Sequence, residues 1–352
     1  MANPSVLVMV LNYNSAEDTA ECVESLLTLN YSNFSVLLMD NGSEDFDKLL
    51  KYEHYPLIDL LRFEENKGFT KAHNEGLKAA RLEAKYDYIA LINNDAVADE
   101  NWLNEMILCA KNQEADLVSC CIKQYNNESY LDNVGHKMIN TGEIVPIGFN
   151  EYSDDYLHSI SVIAPCGAAM LVSSTCIDEL GLFDPYFNTG YEDAELGLRC
   201  VMSGKKIIYN PKAIVYHKIS QSVSKIDDLD YRIQQQANIY YSYFKLMPLT
   251  VILINLPFII LKYLLVLLVE LLTFKWSYIG IHFESWIRVL RDWSQIKSAR
   301  KEFFSKGSKI SSLKMLGLQQ FFLFFDFQRL FDFLFKANKT VFDKSLEGEK
   351  NI

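Results

Sequence analysis

Tyr88-Ile-Ala-Leu-Ile-Asn-Asn-Asp95 decides how this chain is read. Five apolar or aromatic residues followed at once by turn-forming polar residues are the pattern of a short strand buried on both faces. The same pattern stands upstream at Val6–Leu11 and Phe34–Met39, more briefly at Leu60–Phe63, and downstream at Leu117–Ile122. Helical spacing fills the gaps. One helix runs to about Leu29 behind Ser15-Ala-Glu-Asp18, a capping box with Asp in place of Glu. Others span Thr70–Ala84 and Trp102–Lys111. This alternation predicts an α/β fold with a doubly wound, mostly parallel sheet.

Residues 123–160 are polar and irregular, which predicts a loop or small excursion over the site. Order resumes at Pro165–Val172. A helix follows over Glu192–Met202, with Gly204 suited to its C-terminal cap. Ile207–His217 reads as a last strand pair. From Leu246 the character changes. Residues 1–245 hold 19 Lys and Arg against 36 Asp and Glu, whereas the remainder holds 15 against 9. The run around 249–274 is almost wholly apolar, broken by Lys262, and Pro248 and Pro257 flank or interrupt it. Trp276, Trp286 and Trp293 then sit among Arg288, Arg291, Lys297, Arg300 and Lys301, and Phe321–Phe335 carries eight phenylalanines. Residues 1–225 are thus expected to form one α/β domain. Residues 226–352 are expected to form helices that associate with a membrane surface. The apolar run is expected to lie on the bilayer, because Lys262 and the prolines make spanning costly.

The acidic body argues against nucleic acid as a partner. Seven cysteines, an odd number without a C-x-x-C, read as free thiols in a reducing compartment. Met1 to Ser5 lack the basic start of a signal peptide. Neither a G-x-G-x-x-G after the first strand nor a Walker A motif is present, so the usual dinucleotide and phosphate-loop fingerprints are missing.

In an open α/β sheet, ligands bind beyond the carboxyl ends of the strands. That rule selects Asn12-Tyr-Asn14, Asp40, Asn66-Lys-Gly-Phe69 and Asn93-Asn-Asp95. Asp95 could be an oxygen ligand for Mg²⁺ or Mn²⁺ at a strand tip, or part of an ordinary turn before the next helix. Asp40 could accept from a base or a ribose hydroxyl, or simply shape an Asp-Asn-Gly turn. Glu192 and Asp193 open a helix whose dipole favours the ionised form, which is the species a general base needs. Negative charge is also common at helix starts for stability alone. His217 ends the last strand, either as a neutral metal ligand or as a structural side chain.

The set as a whole resembles the family 2 glycosyltransferases, nearest to rhamnosyltransferase-like members. The resemblance rests on Val8-Met-Val-Leu-Asn-Tyr-Asn14, Met39-Asp-Asn-Gly-Ser43, Glu65-Asn-Lys-Gly-Phe69 with Asn74-Glu-Gly76, and Leu91-Ile-Asn-Asn-Asp95. It continues through Cys166-Gly-Ala-Ala-Met-Leu-Val172, Gly181-Leu-Phe-Asp184, Tyr191-Glu-Asp193 and His217, over roughly residues 5–220. The resemblance implies a GT-A, Rossmann-like fold and an inverting transfer of a sugar, rhamnose or another hexose, from a dTDP- or UDP-sugar. It implies nucleotide contacts from Asn12, Asn14, Asp40, Asn66, Gly68 and Asn94. Asp95 and His217 would hold Mg²⁺ or Mn²⁺, Asp193 would be the catalytic base, and Gly167, Ala168 and Glu192 would form the acceptor site. Asn93 departs from the usual Asp-x-Asp, leaving one carboxylate there. The Q-x-x-R-W of processive synthases is missing after Asp193, which implies addition of one sugar or a few. The tail implies a glycan or lipid-linked glycan acceptor at the cytoplasmic face of the cell membrane, in cell-surface polysaccharide synthesis.

Rival readings share the sheet. One is a non-catalytic nucleotide-sugar binder, and another is a membrane scaffold with a degenerate domain. A turnover assay decides the first, and loss of function in Asp193→Asn would reject the second. A nucleotidyltransferase should carry a Gly-rich basic loop after the first strand, and Asn12-Tyr-Asn14-Ser15 is neither.

Overall fold

The computed structural model describes residues 3–218, 229–274 and 276–323. Most of the phenylalanine-rich segment Phe321–Phe335 lies outside the described residues. Strand β1, Val6–Asn12, sits at the centre of the architecture. Its side chains alternate between two cores, as the two-residue strand period requires. Val6, Val8 and Val10 face helices α1, Ala16–Leu26, and α3, Trp102–Asn112, where Cys22, Leu26, Trp102 and Met106 are buried. Leu7 and Met9 face the opposite layer, with helices α2, Phe69–Glu83, and α5, Glu192–Met202. Each layer covers one face of the sheet, so central strands have to be apolar throughout.

Strands β2, Phe34–Asn41, β3, Ile58–Phe63, and β4, Tyr88–Ile92, join β1 in the parallel order β3-β2-β1-β4. Beyond β4 the sheet mixes direction. Strand β11, Ala169–Ser173, runs antiparallel between β4 and β6, Leu117–Gln124. Its reversed direction brings the residues just before it to the carboxyl ends of its neighbours. A short helix, α4, Ser174–Leu180, follows it. Strand β12, Ile207–His217, then pairs parallel with β6 and antiparallel with β5, Ala96–Ala98.

Several sequence expectations need correction. Ile207–His217 is one strand, not a pair, and its register on β6 shifts between Asn210 and Ile214. Pro211 lies inside that gap and has no N–H for the ladder. Residues 123–160 are irregular only in part. They form β7, Asn127–Asn133, β8, His136–Ile139, β9, Ile144–Pro146, and β10, Ile160–Ser161. These strands are short, and in β7 only Leu131 and Asn133 are fully buried, so the period-two signal is weak. The capping box is altered as well. The Ser15 hydroxyl donates to Asp18 Oδ2 at 3.0 Å and caps no backbone N–H. At the end of α5, Gly204 takes φ +77°. Gly204 N–H bonds to Val201 and Lys205 N–H to Cys200, the paired bonds of a Schellman cap.

The C-terminal helices are packed on this body. They are α6, Leu229–Leu246, α7, Leu249–Leu272, α8, Trp276–Arg291, α9, Trp293–Ser305, and α10, Ser312–Gly317. Helix α5 lies between the two parts. Leu196 and Cys200 face the sheet, while Ala194, Leu198 and Met202 pack against Tyr243, Leu246, Val251 and Phe303. A final short strand, β13, Gln319–Gln320, adds to β8 on the edge opposite β9.

Candidate active site

The tips of β1, β2 and β4, the end of β12 and the start of β11 share one edge of the sheet. Asn12 and Asp40 are register partners on β1 and β2, and both are fully buried. Asn12 Nδ2 donates to Asp40 Oδ1 at 2.8 Å and to Ser43 Oγ at 3.0 Å. Asp40 Oδ2 accepts from Ser43 N–H. Asn14 holds a left-handed φ of 51°, which Asn tolerates, and its Oδ1 accepts from Glu44 N–H. Asn94 Nδ2 donates to Thr19 Oγ1, and Thr19 in turn donates to Asn12 Oδ1. One hydrogen-bonded net therefore joins Asn12, Asn14, Asp40 and Asn94.

The Asn66–Gly68 loop forms the neighbouring wall. Asn66 Oδ1 accepts from Asn41 Nδ2 and from Gly68 N–H. Gly68 has φ +77°, and a Cβ there would lie 1.8 Å from Asn188 Oδ1. The left-handed φ favours glycine, and a larger residue would also have to displace the Asn188 side chain. The Asn188 carbonyl accepts from Phe69 and Thr70 N–H, which ties this loop to the segment leading into α5.

Asp95 and His217 meet because β5 pairs with the end of β12, with Ala96 opposite His217. His217 Nε2 lies 3.1 Å from Asp95 Oδ1, and His217 Nδ1 lies 2.8 Å from Asp132 Oδ2. Asp132 is on β7 and was missed in the sequence, where it looked like one more acidic residue in a polar stretch. Burial disfavours the charged imidazole, yet the hydrogen bonds to Asp132 and Asp95 outweigh it and push His217 up to about 10. For Asp95, burial raises the carboxyl, and the His217 bond wins and leaves it below its ordinary value. Held charged between two carboxylates, His217 is not the neutral ligand expected from the sequence; a metal at Asp95 and His217 would have to displace the Nε2 proton, and Asp132 at Nδ1 would then fix the tautomer of the neutral ring. Among the described residues no group of three or more His, Cys, Asp or Glu has metal-holding geometry.

Asp193 stands at the start of α5, and its two oxygens are already oriented. Oδ2 accepts from Gly167 N–H at 2.7 Å, and Oδ1 from Ala194 N–H at 2.7 Å. Ala168, the next residue, accepts from Asn93 N–H at 2.8 Å. Adjacent residues before β11 thus bond to Asp193 on one side and to the Asn93–Asp95 tip on the other. Tyr191, the N-cap of α5, holds φ 74°, an uncommon value for a large side chain and one concentrated at functional sites.

Glu192 is buried, and its Oε2 has no hydrogen-bond partner. Burial, with Asp193 beside it, pushes its carboxyl up to about 8. A carboxyl raised in the folded state favours folding fully below its unfolded value, and that contribution is lost as pH rises through the folded one. Glu192→Gln is therefore expected to raise the melting temperature relative to the parent at pH 8–9, with the difference shrinking toward pH 5. A difference that does not change with pH would show that Glu192 is ionised throughout.

Residues 7–176 match the family model described as Glycosyl transferase family 2. Poly-beta-1,6-N-acetyl-D-glucosamine synthase of Staphylococcus epidermidis is 25% identical over 217 residues, covering 60% of this chain and 49% of that protein. O-antigen biosynthesis protein RfbC of Myxococcus xanthus is 25% identical over 247 residues, covering 65% of this chain and 18% of that protein. The chain spans about half the length of the first. Among solved structures, the crystal structure of GalNAc-T7 with UDP, GalNAc and Mn2+ aligns with TM-score 0.51 and 15% identity, covering 61% of this chain and 43% of that one. The fold is α/β GT-A, with C-terminal helices appended.

Proposed function

We propose, for a chain that carries a family 2 glycosyltransferase domain, an inverting hexosyltransferase of cell-surface polysaccharide synthesis. The donor is a dTDP- or UDP-sugar, rhamnose or another hexose, and the acceptor is a glycan on a lipid carrier. The rhamnosyltransferase-like motifs favour this donor class. One observation supports the reading most: Gly167 and Ala168 join the Asp193 carboxylate to the Asn93–Asp95 tip through two hydrogen bonds. A base and a diphosphate site are then held on one rigid edge, which a single displacement with inversion requires.

In this reading residues 1–225 are the catalytic part. Asn12, Asn14, Asp40, Asn66, Gly68 and Asn94 shape the nucleotide site. Asp40, fully buried, acts mainly by holding Asn12 and Ser43 in place. The acceptor rests on Gly167 and Ala168. Asp193 accepts the proton of the attacking hydroxyl, its two oxygens being held in place by Gly167 and Ala194 N–H. Glu192, neutral near pH 7, can donate a hydrogen bond to the acceptor. Mg²⁺ or Mn²⁺ held by Asp95 and His217 would offset charge on the departing diphosphate.

Residues 226–352 carry membrane attachment in this reading. On α7 the polar residues point at the protein. Asn255 Nδ2 donates to Tyr243 Oη and Gln319 Oε1, Lys262 pairs with Glu143, and Glu270 pairs with His282. The other face, with Leu253, Leu261, Leu264, Leu268 and Leu272, is exposed and apolar. The helix is long and apolar enough to cross a membrane. The one-sided placement of its polar groups favours a helix lying in the cytoplasmic surface of the bilayer.

Thermal stabilisation by nucleotides tests the reading, because a ligand that binds only the folded state raises stability in proportion to its affinity. UDP or dTDP is expected to raise the melting temperature only with Mn²⁺ present. Asp95→Ala is expected to abolish that metal dependence. Asp132→Ala is expected to weaken Mn²⁺ affinity by about 10–100-fold, the usual cost of losing a residue that orients a ligand. No stabilisation by any nucleotide with metal would refute the donor assignment and favour the degenerate-domain alternative.

A further inference from the structure

Two cavities lie side by side in the C-terminal helices and share Tyr263. The first, about 340 Å³, is lined by Phe244, Ile252, Leu256, Ile260, Leu264 and Trp286 beside Tyr263. Leu256, Ile260 and Leu264 are also exposed, so this cavity opens on the apolar outer face of α7. The second, about 310 Å³, is mixed. Ile144, Val145 and Tyr263 supply apolar surface, and Glu143, Gln236, Lys262 and His282 supply polar groups. Its wall is the β8–β9 hairpin, and Ile144 N–H donates to Tyr191 Oη at 2.9 Å. Tyr191 is the residue before Glu192 and Asp193. The two cavities thus meet at the Tyr263 ring, and the hairpin that walls the second is hydrogen-bonded to the residue preceding Glu192 and Asp193.

We infer that these cavities bind the acceptor itself, a glycolipid whose alkyl chain fills the first and whose hydroxyl-bearing head crosses the second toward Asp193. This rests on the transferase reading above. The chemistry of each cavity matches one half of such a molecule. The first offers no group able to hydrogen-bond its contents except the Tyr263 hydroxyl and the Trp286 indole. In the second, donors and acceptors are mixed. Lys262 is balanced by Glu143 at 3.0 Å, and His282 Nε2 lies 3.1 Å from Glu270. A site whose charges are already paired suits hydroxyls better than a phosphate. His282, which lines the second cavity, has a buried Nδ1 without a hydrogen-bond partner, which leaves unmet polar capacity beside it.

Trp286 provides the test. The full chain in nanodiscs is titrated with a dodecyl glucoside brominated along its chain, a quencher of indole fluorescence, and with dodecylphosphocholine as the charged-head counterpart. Saturable quenching by the glucoside is expected, lost in Trp286→Phe and weakened at least tenfold in Ile260→Phe, which narrows the cavity. Turnover on alkyl glucosides is expected to improve with chain length through KM in the parent, and not in Ile260→Phe. Nucleotide-induced stabilisation should be unchanged in that variant, which confirms its fold. Quenching that rises with bilayer content and never saturates, or equal saturation by dodecylphosphocholine, overturns the inference. So does transfer that is indifferent to chain length, although that result leaves the transferase reading intact. Saturable quenching with no transfer to any glycoside overturns the acceptor role of the cavities, and nucleotide binding then reports separately on the donor reading.

Discussion

Asp193→Asn is expected to lower sugar transfer by roughly 10²–10⁴-fold, the usual range for loss of a general base. The substitution keeps the size of the side chain and an oxygen for Gly167 or Ala194 N–H, the bonds that set its position at 2.7 Å. What it removes is basicity. Nucleotide affinity should not change, because Asn12, Asp40 and Asn94 are bonded to one another and to Thr19 and Ser43, not to Asp193. Steady-state transfer and nucleotide titration of the same preparation separate these terms. Turnover within tenfold of the parent would remove Asp193 from the role of base and leave Glu192 as the nearest carboxyl.

Lys245→Ala is expected to destabilise the protein by about 3–5 kcal/mol, the cost of breaking a buried ion pair by removing one partner. Lys245 is on α6 and reaches two carboxylates, the partly buried Asp184 and the fully buried Glu195, the latter at 2.6 Å. Glu195 is fully buried and also holds Arg199 through bonds of 3.0 and 3.1 Å. Arg199 further donates to the carbonyls of Leu180, Gly181 and Leu182. Without the lysine, two carboxylates, one of them fully buried, face one guanidinium at this site. Tyr186, stacked on Tyr241 at 3.6 Å, and the Tyr241 hydroxyl on Asp184 close that site. Because Glu195 is two residues from Asp193, activity should fall with stability. Thermal and denaturant unfolding of the variant would measure the loss, and a loss below about 1 kcal/mol would mean that the pair is hydrated and contributes as little as a surface salt bridge.

This network shows why part of the candidate site was legible in the chain and part was not. Asp193 stood out because Tyr191-Glu-Asp193 is local: two carboxylates at a helix start are visible without knowing any neighbour. Asp95 stood out in the same way, at the end of an apolar run. Lys245 gave no such signal. It follows Tyr240-Tyr-Ser-Tyr-Phe on a helix, and a lysine there looks solvated until Asp184 and Glu195 are placed beneath it. Asp132 was hidden differently. The strand that carries it is short and mostly polar, so its region looked like loop.

By itself, the sequence determined the alternation of strands and helices over residues 6–122, the ends of α5 and the polar tips of β1, β2 and β4. Those features depend on residues two, three or four positions apart, which any reader of the chain can compare. Only the tertiary structure decided that β11 runs antiparallel between β4 and β6, that Asp95 and Asp132 flank His217 from 122 and 85 residues away, and that α7 turns Lys262 inward. Each depends on strand register or helix rotation. Those are selected by the burial of whole faces at once, and no local window of the chain contains that information.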